Sequence, residues 1–248
     1  MMKSIQTVLF MIAITVVFIS ALSFVNETSR DRIEQNLKVQ YLQSVLYAGG
    51  ILPKGIDEQA LSNTSTTSDL PWDTSEMLSV FQTRIREIQL PVKAFSVADI
   101  SKIIPGAQDS IKIYVFLNNS NDIEGYGFPM VGKGLWGSIQ AFGVVSPDLK
   151  TMTGIDFTEQ METPGLGARI TEQEFKYFFR NLDISGFLKS NDEKPVIMVN
   201  SKTQNNFENQ TNSIQSITGA TQTCNGVMNM MRDNLGLYLE LIRDNQPF

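Results

Sequence analysis

Between Ser4 and Val25 the chain carries no charged side chain, and from Val8 onward only Thr15, Ser20 and Ser23 interrupt the apolar run. A helix needs roughly 20 such residues to cross the hydrocarbon core of a bilayer, whereas a cleavable signal sequence has an apolar core of about 7–15 residues. The pattern predicts a retained single transmembrane helix that meets lipid over residues 5–25, followed by one soluble domain over residues 26–248. Past the apolar run, Ile33, Leu37, Tyr41 and Val45 recur at helical spacing, so the helix is expected to continue from Asn26 to Leu46. Gly49-Gly50 and Pro53-Lys54-Gly55 end it, and Asn63 to Asp69 reads as a polar loop.

The spacing of Asp73 and Glu76 fits a capping box, opening a helix with Met77, Phe81, Ile85 and Ile88 on one face. The pattern then changes to β-branched and aromatic residues. Asp109–Asn118, Gly125–Met130, Leu135–Val145 and Thr151–Thr158 read as strands, with a turn at Ser146-Pro147-Asp148. A second capping box at Thr171–Glu174 opens a short helix with Phe175, Phe178, Phe179 and Leu182 inward. Lys194–Asn200 is the last expected strand, and Ser201–Gln215 is polar and expected to be loop. From Val227 the spacing of Met231, Leu235, Tyr238 and Ile242 is helical. Strands in the middle and helices at both ends predict an α+β fold with a mostly antiparallel sheet flanked by helices.

Composition removes several chemistries. The 248 residues include no histidine, which excludes His-based triads, His-ligated haem and His-containing zinc sites. One cysteine, Cys224, excludes internal disulfides and CxxC motifs. A net charge of −6 without a Lys/Arg-rich run offers nucleic acid no basic field. No metal ligand set and no catalytic group acting alone is apparent. Any redox chemistry must therefore come from an organic cofactor.

Three segments stand out from ordinary connectors. Gly125 to Gly137 holds glycines at 125, 127, 132, 134 and 137 together with Trp136, a composition that weakens a strand unless another backbone or a ligand comes close. On residue type alone Trp136 is a packing aromatic. Glu162-Thr163-Pro164-Gly165-Leu166-Gly167 centres on a Pro-Gly turn, with Glu162 and Arg169 available as a surface pair. In Ser216 to Thr223, hydroxyl side chains crowd a turn built on Gly219 and Ala220 at or just before a helix start, where free N–H groups and the helix dipole favour a phosphate. The residues alone leave open a capped turn, or an accessible hydroxyl at Thr218, Thr221 or Thr223.

In this order, G-K-G-L-W-G (132–137), E-T-P-G-L-G (162–167) and T-G-A-T (218–221) behind one N-terminal anchor resemble a known family. It comprises the FMN-binding C subunit of the sodium-translocating NADH:quinone oxidoreductase and the FMN-binding G subunit of the related Rnf complex. G-K-G-L-W followed by S-P-D-L-K brings the chain closer to the quinone-reductase member. The resemblance implies FMN bound covalently, through a phosphoester to Thr221 made by a separate flavin transferase, with Thr218, Gly219, Ala220 and Thr223 around the attachment point. It also implies that Trp136, Glu162, Thr163, Pro164, Gly165, Leu166 and Gly167 approach the flavin, Thr163 and Leu166 as ring neighbours. The family pattern has Asp three residues before its first Ser/Thr, where this chain has Gln215.

The function so implied is electron transfer inside a multi-subunit membrane complex that couples NADH oxidation and quinone reduction to sodium export. No stand-alone activity is expected. The Rnf member of the family and a membrane-anchored, non-redox ligand-binding module are the alternatives. Arg30, Arg32 and Lys38 after the span outnumber Lys3 before it, a weak count for a cytoplasmic domain. The resemblance implies the opposite, periplasmic side of a bacterial inner membrane, and that orientation is the expectation.

Overall fold

The computed structural model describes residues 2–56, 61, 65–92, 110–188, 196–199 and 212–245, with side chains from residue 5 onward. Asn63, Thr64, Asp109, Lys194, Pro195, Asn200 and residues 201–211, on which parts of the sequence expectations fall, lie outside the described residues.

Helix α1 spans Met2–Ala48 and is shared between two compact units, Met1–Gln40 and Tyr41–Phe248. In the first unit, an 18-residue window of mean hydropathy 2.8 makes the helix long and apolar enough to cross a membrane. Its large apolar side chains, from Leu9 to Val25, are exposed, as lipid-facing residues must be. Ile33 and Leu37 are also exposed, and of the stripe Ile33, Leu37, Tyr41 and Val45 only Val45 is fully buried.

The second unit is built on one sheet. After helix α2 (Thr74–Arg84) come β1 (Ile85–Pro91), β2 (Ser110–Leu117), β3 (Ile123–Lys133), β4 (Ser138–Val145), β5 (Thr151–Glu159) and β6 (Leu182–Asp183). They form an antiparallel meander in the order β1-β2-β3-β4-β5-β6. A short helix α3 (Gln173–Tyr177) lies between β5 and β6. A separate parallel pair joins β7 (Ile197–Val199) to β8 (Ser213–Gln215), and the long helix α4 (Thr221–Asn245) closes the chain. The expected α+β class with an antiparallel sheet is what the chain adopts.

The sheet is covered on both faces, which is why β2 reads as an almost unbroken apolar run rather than an alternation. On one face Val115, Phe128, Met130 and Ile139 join Val227, Met231, Leu235, Tyr238 and Ile242 of α4 in a single core. There Phe128 stacks on Tyr238 with ring centroids 4.2 Å apart. Asn234, fully buried, donates to the Val131 carbonyl at 3.0 Å and accepts from the Val131 N–H at 3.3 Å, which fixes α4 in register on β3. On the other face Tyr114 and Phe142 pack with Tyr41 near the end of α1.

Several local expectations are corrected. Ile85 and Ile88 belong to β1, not to the helix before it: both are β-branched and at home in a strand, where a spacing of three puts them on opposite faces, and pairing with β2 along the whole of β1 decides the matter. Asp73 caps α2 by accepting from the N–H groups of Ser75 and Glu76. The box expected at Thr171 does not form, because its hydroxyl donates to the Ala168 carbonyl inside the 3₁₀ turn Gly167–Thr171. Leu182 sits in β6 and Gln215 in β8, where the polar sequence Ser213-Ile214-Gln215 buries only Ile214. Residues 135–137 are the β3–β4 turn rather than strand, and α4 starts at Thr221, six residues before the apolar period becomes visible.

Candidate functional site

The three unusual segments converge on one carboxylate. Glu162 follows β5 and is 5% exposed. One of its oxygens accepts the Trp136 N–H at 3.0 Å, and the other accepts the Thr223 hydroxyl in the first turn of α4. The β3–β4 turn, the segment after β5 and the start of α4 are thereby tied together. The Glu162 N–H is itself held by the Gln160 side chain at 2.6 Å.

The glycines make this convergence sterically possible. A Cβ on Gly134 would strike the Glu162 carboxylate, and one on Gly167 would lie 2.5 Å from the Thr223 hydroxyl oxygen and 2.9 Å from Glu162. A Cβ on Gly132 would lie 2.5 Å from Cβ of Met230. Close approach by other protein segments thus explains the glycine-rich strand. The two turns are made by positive φ instead. Gly165 (φ 74°) completes the Thr163-to-Leu166 turn, with the Leu166 N–H bonded to the Thr163 carbonyl at 3.1 Å. Gly219 (φ 82°) completes the turn closed by the Ala220 N–H on the Ile217 carbonyl at 3.1 Å.

That second turn delivers Thr221 to the first position of α4. The first helical bond of α4 runs from the Cys224 N–H to the Ala220 carbonyl, at 3.0 Å, so the N–H groups of Thr221, Gln222 and Thr223 lie ahead of the helical ladder. Thr218, Gly219 and Thr221 are exposed, whereas Ala220 and Thr223 are buried. Four large apolar side chains on the segments tied together by Glu162 are exposed: Trp136 (70% exposed), Leu135, Met161 and Leu166. Leu166 reaches to 3.1 Å from where a Gly219 Cβ would stand, which joins the second and third segments at the surface. Thr163, Pro164 and Gly165 are exposed on the same turn, and Gly167 is buried beneath it.

Two readings from residue type alone do not hold. Trp136 is not a core aromatic, since the turn that carries it directs the indole to solvent. Glu162 and Arg169 are not a pair: Arg169 bonds Glu172 at 2.9 Å and approaches Glu174 at 3.6 Å, lining with Gln215, Ser216 and Thr218 a cleft of about 170 Å³. Leu135 and Met161 join the site without any sequence signal beyond their apolar character. Cys224 is buried with its sulfur accepting from the Ile217 N–H, and burial pushes its thiol pKa up. Among the described residues no cluster of His, Cys, Asp or Glu is arranged to hold a metal ion.

An exposed hydroxyl at a helix start, donors free of the helical ladder and an adjacent apolar surface together suit a phosphate-bearing aromatic cofactor. Comparison with known proteins agrees. Residues 134–236, which contain Gly134, Trp136, Glu162 and the start of α4, match the FMN-binding domain family. The C subunit of the Na(+)-translocating NADH-quinone reductase from Pasteurella multocida is 32% identical over 125 residues, covering 50% of this chain and 45% of the relative. Its Yersinia pestis counterpart is 28% identical over 166 residues, covering 64% and 59%. The chain thus spans about half the length of these relatives. Among solved structures, Shewanella oneidensis NqrC aligns over 84% of this chain and 97% of its own with a TM-score of 0.62 at 17% identity. The C subunit from Parabacteroides distasonis aligns over 86% and 96% with a TM-score of 0.59 at 22% identity. At such identities the structures establish a shared fold. The sequence matches and the shared fold support placing this chain with the FMN-binding proteins that include the C subunit of the Na(+)-translocating NADH-quinone reductase, with residues 134–236 as the FMN-binding domain.

Proposed function

We propose that the chain is a membrane-anchored electron-transfer protein that holds FMN through a phosphoester to Thr221. The observation that carries the assignment is the contrast between two hydroxyls of one helical turn: Thr221 is exposed, while Thr223 is buried and bonded to Glu162. A transferase acting from solution can reach the first and not the second. The phosphate then lies at the start of a 25-residue helix, ahead of its first internal bond. Trp136, Leu166 and Thr163 offer the exposed surface on which a flat apolar ring would rest. FMN, once bound, supplies one- and two-electron redox chemistry; the chain supplies attachment, orientation and electrostatics.

The protein works in a multi-subunit, ion-translocating NADH:quinone reductase of a bacterial membrane, with a flavin transferase needed for its maturation. Residues 5–25 anchor it in lipid, and the domain faces the periplasm, where a covalent bond keeps the flavin from being lost. The names of the matched relatives and the length and hydropathy of α1 support this reading. Intact mass before and after Thr221→Val tests it. An FMN-sized adduct present in the parent and absent from the variant is expected, and an adduct that persists in the variant moves the bond elsewhere. Protease added to intact spheroplasts should cleave the domain; protection would place it on the cytoplasmic side.

A further inference from the structure

Glu162 is a buried carboxylate whose partners are both neutral, the Trp136 N–H and the Thr223 hydroxyl. Among the described residues no ion pair involves it; Arg169, a few positions on, is engaged by Glu172 and Glu174. A carboxylate accepts at two oxygens at once, which a single hydroxyl or amide oxygen does not do across so wide a span. Gly134 and Gly167 close directly on it, so its geometry is fixed on both sides.

We infer that Glu162 is the positioning residue of the flavin site and that its charge lowers the midpoint potential of the flavin, an inference that rests on the FMN reading above. One oxygen holds the turn that presents Trp136. The other holds the helical turn that presents Thr221, two residues from Thr223. The exposed apolar side chains Leu135, Trp136, Met161 and Leu166 all belong to segments that Glu162 is part of or bonds to, so a ring seated on them is a close neighbour of the carboxylate. Reduction places negative charge on a flavin. A fixed anion in a partly desolvated setting opposes that change far more than one in water, and among the described residues no cation is paired with it.

The test uses the full-length protein purified in detergent, with two measurements: flavin retained after denaturation and washing, and midpoint potential by spectroscopic redox titration of the retained flavin. Glu162→Gln removes the charge but keeps an oxygen for the Trp136 N–H, and its amide can donate to the Thr223 oxygen. Flavin retained at a more positive midpoint potential is expected. Glu162→Asp keeps the charge on a shorter stem, and its loaded fraction should titrate near the parent. Glu162→Ala removes both functions and should lose flavin retention several-fold. An unchanged or more negative potential in Glu162→Gln overturns the electrostatic role, as does failure of that variant to retain any flavin. Parent-like loading of Glu162→Ala overturns the positioning role. Failure of the parent itself to retain flavin would instead refute the FMN reading, so the two are separable.

Discussion

Gly226 of α4 lies so close to Lys133 of β3 that a Cβ on the glycine would stand 2.5 Å from the Lys133 carbonyl oxygen. The same atom would stand 3.2 Å from Cα of Gly134. Glycine inside a helix costs about 1 kcal/mol relative to alanine, so this one is retained against helix propensity. Its role is to let the helix touch the strand that leads into the Trp136 turn. Gly226→Ala should therefore destabilise the protein by about 1–3 kcal/mol, the range for overpacking, despite the gain in propensity. Urea unfolding followed by circular dichroism measures this, and a stabilised variant would mean that the helix can move away freely.

The paired turns make a sharper contrast. Gly165 has φ of 74° with nothing within 4 Å of its missing Cβ, so Gly165→Ala carries only left-handed backbone strain, about 1 kcal/mol. Gly167 has ordinary backbone geometry but no room, with the Thr223 oxygen and Glu162 both inside contact distance. Gly167→Ala should cost more than Gly165→Ala and should break the Thr223–Glu162 bond. Comparison of unfolding midpoints and of retained flavin in the two variants checks the order; equal effects would show that Glu162 moves aside at little cost.

How far the chain can be read in advance depends on what each signal measures. The α4 period from Val227 to Ile242 reports burial against a sheet, and every position in it is buried. The start of α4 gives no such signal, because Thr221 to Asn225 is polar and its helical state comes from the turn at Gly219 and from tertiary contacts such as Thr223 with Glu162. Ile85 and Ile88 fit the helical period of the residues before them, and only the pairing with β2 shows that they are strand. The site is legible as three short segments, since glycines are retained where side chains cannot fit. That they meet on Glu162 is not, because Trp136 and Thr223 lie 26 and 61 positions from it and carry no mark of the contact. Residue type misplaces Trp136, for a large aromatic at a turn is exposed by the turn and not by its own chemistry.

Cys224 offers a probe of the first turn of α4. Its side chain is buried, and burial raises its pKa, so both access and thiolate formation are suppressed in the folded state. A thiol whose folded pKa lies above the unfolded value of about 8.5 contributes stability that is present below that pH and is lost as pH rises through the folded pKa. Native protein should react with a thiol reagent far more slowly than urea-unfolded protein at about pH 7.5, and remain slow as the pH is raised toward the unfolded value. Rapid labelling of the native form, measured by mass spectrometry, would show that the turn carrying Thr221 opens readily.

Trp136 separates stability from function most cleanly. It is 70% exposed, and only its backbone N–H takes part in the Glu162 bond, which an alanine retains. Trp136→Ala should therefore shift stability by no more than about 0.5 kcal/mol, as for other surface substitutions. If the ring of a flavin attached at Thr221 rests on this indole, the stacked contact is lost in the variant while the covalent bond survives. Flavin content after denaturation should match the parent, and flavin fluorescence in the folded state should rise as the aromatic quencher is removed. Unchanged fluorescence at equal flavin content would place the ring away from Trp136 and leave Leu166 and Thr163 as its support.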